Sequence, residues 1–281
     1  MTRKLFKWFK ILLIVYATTG IALYYLQEKI LFHPTSLSQD YSYHFEQNYN
    51  EVNIQYDSTT QFNIIQFAVP VDKFPSSHPT DTLLKKNSKG VVLYFHGNKE
   101  NISRYAHFAN NFTKNNYEVW MIDYPTFGKS TGKLSEEILY QEALQFYKLA
   151  NAKYNAQNII IYGKSLGTGI AAQLASTKKC KQLILETPYY SMVSLVELYT
   201  WMYPVEKMFK YKIPTNEYLK NISVPITIFH GTADELIPYS NASKLKMVIK
   251  PTDEFITIEK GTHHNLNDFV LFHSKLDSLL H

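Results

Sequence analysis

Hydrophobic and polar positions divide the chain into three regimes. The first is a continuous apolar run. Residues 11–26, ILLIVYATTGIALYYL, carry no charge, and Leu5, Phe6, Trp8 and Phe9 extend the run backwards around Lys7 and Lys10. A spanning helix needs about 20 apolar residues, and lysines at its end reach the headgroups. The second regime, 33–90, is β-rich. Residues 53–56 and 62–67 flank the polar turn Asp57-Ser58-Thr59-Thr60, which predicts a hairpin, and the Pro- and Lys-bearing stretch 70–90 predicts a surface loop.

From residue 91 onward, short apolar runs alternate with helix-periodic stretches. VVLYF at 91–95 is apolar throughout, as a strand buried on both faces must be. Further strands are predicted at 118–122, 158–162, 182–185, 225–229 and 255–258. Helices are predicted at 101–115, 135–150, 166–176 and 265–280, with Ser135 as an N-cap followed by acids. Strands alternating with helices imply right-handed βαβ units and a doubly wound, mostly parallel α/β sheet. Between Pro188 and Pro225 this rhythm breaks. Residues 188–220, rich in Tyr, Met and Trp, predict a short helical lid insertion.

Composition narrows the class. With 281 residues, 45% of them hydrophobic, and only 10 Gly and 11 Pro, the chain is neither disordered nor collagen-like. Cys180 is the only cysteine, so no disulfide forms within the chain. The formal net charge is +5, of which Arg3, Lys4, Lys7 and Lys10 account for +4. A nucleic-acid binder would carry its basic excess on a folded face. Here the excess precedes the apolar run, so no nucleic-acid partner is expected.

By the positive-inside rule, the basic end stays in the cytoplasm and the rest of the chain crosses to the periplasmic or extracytoplasmic side. Residues 1–30 therefore read as an uncleaved single-pass anchor, and 31–281 as the folded domain. A cleaved signal peptide would have a shorter apolar run and a small-x-small site. A buried helix is the other alternative.

The chemistry resides in Gly163-Lys164-Ser165-Leu166-Gly167, which falls between a predicted strand and a predicted helix. Gly-x-Ser-x-Gly in that context is a nucleophile elbow. The serine sits in strained backbone at a helix N-terminus, and side chains at the flanking glycines would collide with neighbouring elements. A serine nucleophile needs a base, and the base needs an acid to hold it; in this fold the order is Ser, acid, His. Both partners follow at strand ends, in His230-Gly231-Thr232-Ala233-Asp234-Glu235 and in Gly261-Thr262-His263-His264-Asn265. The first strand of the alternating region ends in His96-Gly97-Asn98, so the backbone N–H groups of Asn98 and Leu166 are the expected oxyanion donors.

The stretches YFHGN, DYPTFGKS, IYGKSLGTG, ETPYYSM, HGTADELIP and GTHHN together resemble the α/β-hydrolase fold. More narrowly, the chain is similar to membrane-anchored α/β-hydrolase-domain serine hydrolases, a group with bacterial members and eukaryotic relatives that include protein depalmitoylases. The anchor followed by QEKILFHPTSL fits that group. The resemblance implies Ser165 as nucleophile, Asp234 as acid and one of the paired histidines as base. The family pattern Gly-His-Asn aligns His264, although His263 then occupies the glycine position.

Glu186, at a strand end, is an alternative acid, and Asp268 reads as a solvated or capping one. His96 and His230 read as loop-shaping. No metal motif, dinucleotide fingerprint or phosphate loop is present, so neither a metal nor a cofactor is expected. Sequons at Asn101, Asn111, Asn221 and Asn241 matter only in a eukaryotic secretory route. The expected activity is hydrolysis of an acyl ester or thioester through an acyl-enzyme. The alternatives are a peptidase-type or lipid-specific hydrolase, or an inactive hydrolase fold used for binding.

Overall fold

The computed structural model of the chain describes residues 2–70 and 88–281. Most of the loop expected over 70–90 lies outside the described residues. Eight strands form one sheet: β1 (Tyr49–Gln55), β2 (Gln61–Phe67), β3 (Gly90–Phe95), β4 (Tyr117–Asp123), β5 (Ile159–Lys164), β6 (Gln182–Glu186), β7 (Ile226–Gly231) and β8 (Glu254–Ile258). Their spatial order is 1-2-4-3-5-6-7-8. Pairing is parallel from β4 to β8 and antiparallel where β2 joins β1 and β4. The predicted hairpin is present, and Asp57 fastens its turn by accepting bonds from the Thr59 and Thr60 N–H groups, each at 2.8 Å. Strands β3, β5, β6 and β7 are buried along their whole length, as their continuous apolar runs require.

The long helices are α1 (Thr2–Leu31), α2 (Glu136–Asn151), α3 (Leu166–Thr177), α4 (Met192–Thr200) and α5 (Val270–Leu280). Helices α2 and α3 cover one face of the sheet around Phe146, Ile170 and Leu174. Helix α5 covers the other face, where Phe272 and Leu276 meet Phe112 and Tyr162. Ser135 caps α2 as expected, its hydroxyl accepting from Ile138 N–H at 3.2 Å.

Two predicted helices are interrupted. The stretch 101–115 forms three short turns, Ile102–Tyr105, Ala106–Ala109 and Asn110–Thr113. Its buried residues Ile102, Tyr105, Ala106, Ala109 and Phe112 recur close to every third position, which tightens the middle turn to 3₁₀ geometry. The C-terminal stretch breaks at Phe269, whose extended backbone separates the turn Leu266–Asp268 from α5.

The lid expected over 188–220 is present as α4 and the shorter helices Val205–Met208 and Thr215–Leu219, the last packed on α3. Helix α1 projects beyond the sheet, with most of its apolar side chains exposed. Its last residues return to the domain, where His33–Pro34 pairs in parallel with Lys99–Glu100.

Glu142 of α2 is fully buried, and neither carboxylate oxygen has a hydrogen-bond partner among the described residues. Burial, reinforced by the nearby Asp123, pushes its carboxyl well above the usual range. The folded chain thus favours the protonated form of Glu142, whereas the unfolded chain ionises it above about 4.3. Its contribution to stability is most favourable below that pH and declines as pH rises. Glu142→Leu should raise unfolding stability at pH 7 by about 1–3 kcal/mol. Denaturant titrations should show the gap narrowing as pH falls towards about 4.

Candidate active site

The site begins where β5 turns into α3. Ser165 holds φ +51° and ψ −118°, a conformation that costs a side-chain-bearing residue about 1–3 kcal/mol. Neighbouring backbone enforces it: Ser165 N–H donates to Glu186 C=O at 2.9 Å, and Ser165 C=O accepts from Thr168 N–H at 3.0 Å. The flanking glycines let the chain close this tightly. A Cβ on Gly163 would lie 2.5 Å from Gly167 O, and one on Gly167 would lie 2.1 Å from Phe95 O. Both distances are impossible for a real side chain, so the two glycines are a steric requirement of the turn.

The loops after β7 and β8 converge on this serine. They are held together by hydrogen bonds from Ala233 N–H to Gly261 O (2.9 Å) and from Thr232 N–H to Ile258 O (3.0 Å). His263 Nε2 lies 2.9 Å from Ser165 Oγ, and its Nδ1 lies 2.8 Å from Asp234 Oδ2. An ionised carboxylate only accepts, so Nδ1 carries the proton and the Nε2 lone pair faces the serine hydroxyl. Asp234 Oδ1 accepts from the N–H groups of Leu236 (3.0 Å) and Ile237 (2.8 Å). Burial opposes the charge on Asp234, but the bonds from His263 and Ile237 outweigh it and hold the carboxyl below its usual range.

The expectation of His264 as the base is corrected by this geometry. The ring between Ser165 and Asp234 belongs to His263, which is buried, whereas His264 is exposed at the rim of the pocket. Thr262 N–H donates to Asn265 Oδ1 at 2.7 Å, closing a turn across the two histidines. Only His263 bonds to the serine hydroxyl. The His264 ring packs edge-on against His263 at 5.1 Å. Partial burial, followed by the neighbouring His263, holds the His264 imidazole below its usual range.

Asn98 follows the end of β3, and Leu166 follows Ser165. β3 runs beside β5 with Phe95 opposite Gly163, so Gly97 and Asn98 emerge next to the elbow. Leu166 is the first residue of α3, and a helix leaves its leading N–H groups without an acceptor of its own. Gly97, Asn98, Ser165, Leu236 and both histidines line an open pocket of about 350 Å³, whose wall also includes Lys99, Arg104 and Lys164.

The other candidates have structural roles. Glu186 is committed to Lys164 and Tyr162, the former as a buried ion pair beneath the elbow. Spacing along the chain does not reveal that pair, because the pairing of β5 with β6 brings its partners together. Asp268 is exposed. His96 stacks on Tyr105, and its Nε2 lies 3.2 Å from Asp123. His230 Nε2 donates to Ile237 O at 2.9 Å and lies 3.5 Å from Asp234, so it supports the acid from behind. Cys180 is buried, and burial raises its thiol to about 12.

The family model described as serine aminopeptidase, S33 matches residues 86–218. Alpha/beta hydrolase domain-containing protein 17C of Xenopus tropicalis is 28% identical over 197 residues, covering 68% of this chain and 61% of that protein, so the chain spans under two thirds of this relative's length. Uncharacterized protein R595 of Acanthamoeba polyphaga mimivirus is 30% identical over 219 residues, covering 69% of this chain and 74% of that protein. Among solved structures, a Pyrococcus furiosus esterase superposes with a TM-score of 0.64 at 17% identity, covering 89% of this chain and 97% of the other. Strand order, elbow and relatives agree, and the chain belongs to the α/β-hydrolase family of serine hydrolases.

Proposed function

We propose that this chain hydrolyses a carboxylic ester or thioester through an acyl-enzyme. The observation that carries this reading is the continuous hydrogen-bonded chain Ser165–His263–Asp234, open to a pocket bordered by Gly97 and Asn98. His263 Nε2 takes the serine proton as Oγ attacks the acyl carbonyl carbon. The carbonyl oxygen becomes an oxyanion and is met by the N–H groups of Asn98 and Leu166. The tetrahedral intermediate collapses, and the imidazolium gives its proton to the departing alcohol or thiol. Water then enters. His263 removes one of its protons, hydroxide attacks the acyl-serine, and the acid leaves as Oγ regains a proton. Asp234 holds the imidazole orientation and balances its positive charge throughout. The family model's description also favours a peptidase-type reading, and amide substrates distinguish the two.

Arg3–Leu31 is long and apolar enough to cross a membrane. We read it as a single-pass anchor, with the basic end cytoplasmic and the hydrolase domain on the far side. A chain that remains with the membrane fraction after a high-salt wash supports this; release into the supernatant removes it.

Ser165→Ala and His263→Ala should each lower kcat for a short-chain ester by about 10⁴-fold or more, whereas His264→Ala should stay within about threefold of wild type. Fluorophosphonate labelling should be lost in Ser165→Ala. Equal labelling and turnover in the Ser165 variant and wild type would overturn the assignment, and loss on His264 rather than His263 substitution would overturn the choice of base. Asp234→Asn should lower kcat by about 10⁴-fold, because the imidazole then presents the wrong tautomer.

A further inference from the structure

Helix α1 is built into the domain along one side. Tyr16 donates its hydroxyl to Met202 O at 2.9 Å, Tyr203 donates to Tyr16 O at 3.1 Å, and the two rings stack at 4.6 Å. Further along, Gln27 Oε1 accepts from Lys210 N–H at 2.7 Å. Between α1 and the lid lies an open cleft of about 260 Å³. Leu23, Ile30 and Leu31 form one wall, and Leu195, Val196 and Met208 face them from the lid. The polar groups at its edge are already engaged: Gln27 with Lys210, the Tyr203 hydroxyl with Tyr16, and the Thr200 hydroxyl with Val196 O. What the cleft offers an occupant is hydrocarbon surface.

Two hydrogen bonds join this cleft to the serine pocket. Asn98 Nδ2 donates to Leu31 O at 2.6 Å, and Tyr199 donates its hydroxyl to Leu236 O at 3.2 Å. Leu31 and Tyr199 line the cleft, while Asn98 and Leu236 line the pocket. The pocket and the cleft therefore adjoin at the end of α1, where Asn98 meets Leu31.

Length places the cleft with respect to a bilayer. The uncharged run of α1, residues 11–26, is about 24 Å long at 1.5 Å per residue and is the part suited to a hydrocarbon core of about 30 Å. Tyr16 lies inside that run, so a spanning α1 carries Tyr16 and the lid segment bonded to it into the bilayer. That segment suits the location: residues 198–205, LYTWMYPV, are uncharged, and Leu198, Tyr199, Trp201 and Met202 are exposed, Trp201 at 79%.

We propose that the cleft between the anchor helix and the lid is the site for the long fatty acyl chain of the substrate, filled from the surrounding leaflet, with the anchor serving as a wall of the binding site. This rests on the ester or thioester hydrolase reading above.

The test uses the full chain in detergent micelles with p-nitrophenyl acetate and palmitate. Leu23→Trp and Val196→Phe narrow the cleft from opposite walls. The ratio of kcat/KM for palmitate to that for acetate should fall by about tenfold or more in each variant, and a ratio within about twofold of wild type in both overturns the proposal. The ratio is independent of the active fraction, so partial misfolding does not enter it. A wild-type chain that cleaves neither ester removes the hydrolase reading itself. Ser165-dependent acetate cleavage without palmitate cleavage removes only the present inference. In vesicles, Met202→Cys carrying a fluorescent label should be quenched by lipids brominated on their acyl chains, and an unquenched label overturns filling from the leaflet.

Discussion

The active-site architecture hangs on the close approach of three backbone segments at the end of β5. Ser165 holds a positive φ because β5 and α3 meet at Gly163 and Gly167 with no room for a Cβ, and because Gly167 lies against the end of β3. That single contact presents the hydroxyl above the sheet and starts α3 with its free N–H groups at the site. It also brings the loop after β3 alongside the serine. The strain is local, and the burial of β3, β5 and β6 over-determines it. Lys164 and Glu186 brace the same turn from below, with Glu186 supplying its carbonyl to Ser165 and its carboxylate to Lys164.

The two loops that complete the site depend on sheet order. β7 and β8 are neighbours, so the Asp234 and His263 loops share hydrogen bonds. Asp234 is held by backbone N–H groups, by His263 and, more distantly, by His230. A carboxylate so surrounded stays charged in a buried place, which is the state a tautomer-fixing acid requires. On the other side of the serine, Asn98 uses its carbonyl and its side-chain amide to hold the chain leaving α1. Helix α1 is thereby fastened to a residue of the pocket.

Much of this was legible in the residues. Continuous apolar runs such as 91–95 marked buried strands, because a strand covered on both faces has no polar side to show. Gly-x-Ser-x-Gly between strand and helix marked the elbow, because its steric demand admits few alternatives. Helix boundaries were less legible. Phe269 and the 101–115 turns follow burial against the sheet, which overrides local propensity. The Lys164–Glu186 pair was hidden because its partners are 22 residues apart and meet only through the pairing of β5 with β6.

The paired histidines mark the boundary between the two kinds of knowledge. The amino-acid order determined that a histidine follows the last strand, that an aspartate precedes it at the end of the strand before, and that a serine stands in an elbow upstream. These are properties of spacing along one dimension. Which imidazole faces the serine is a property of direction. The turn closed by Thr262 and Asn265 points His263 inward and leaves His264 at the rim. Likewise, the apolar run of α1 was plain from composition, but its contact with the lid arises only when residues 16 and 203 come together in space. Spacing is written in the chain; orientation and long-range contact exist only once the sheet has assembled around them.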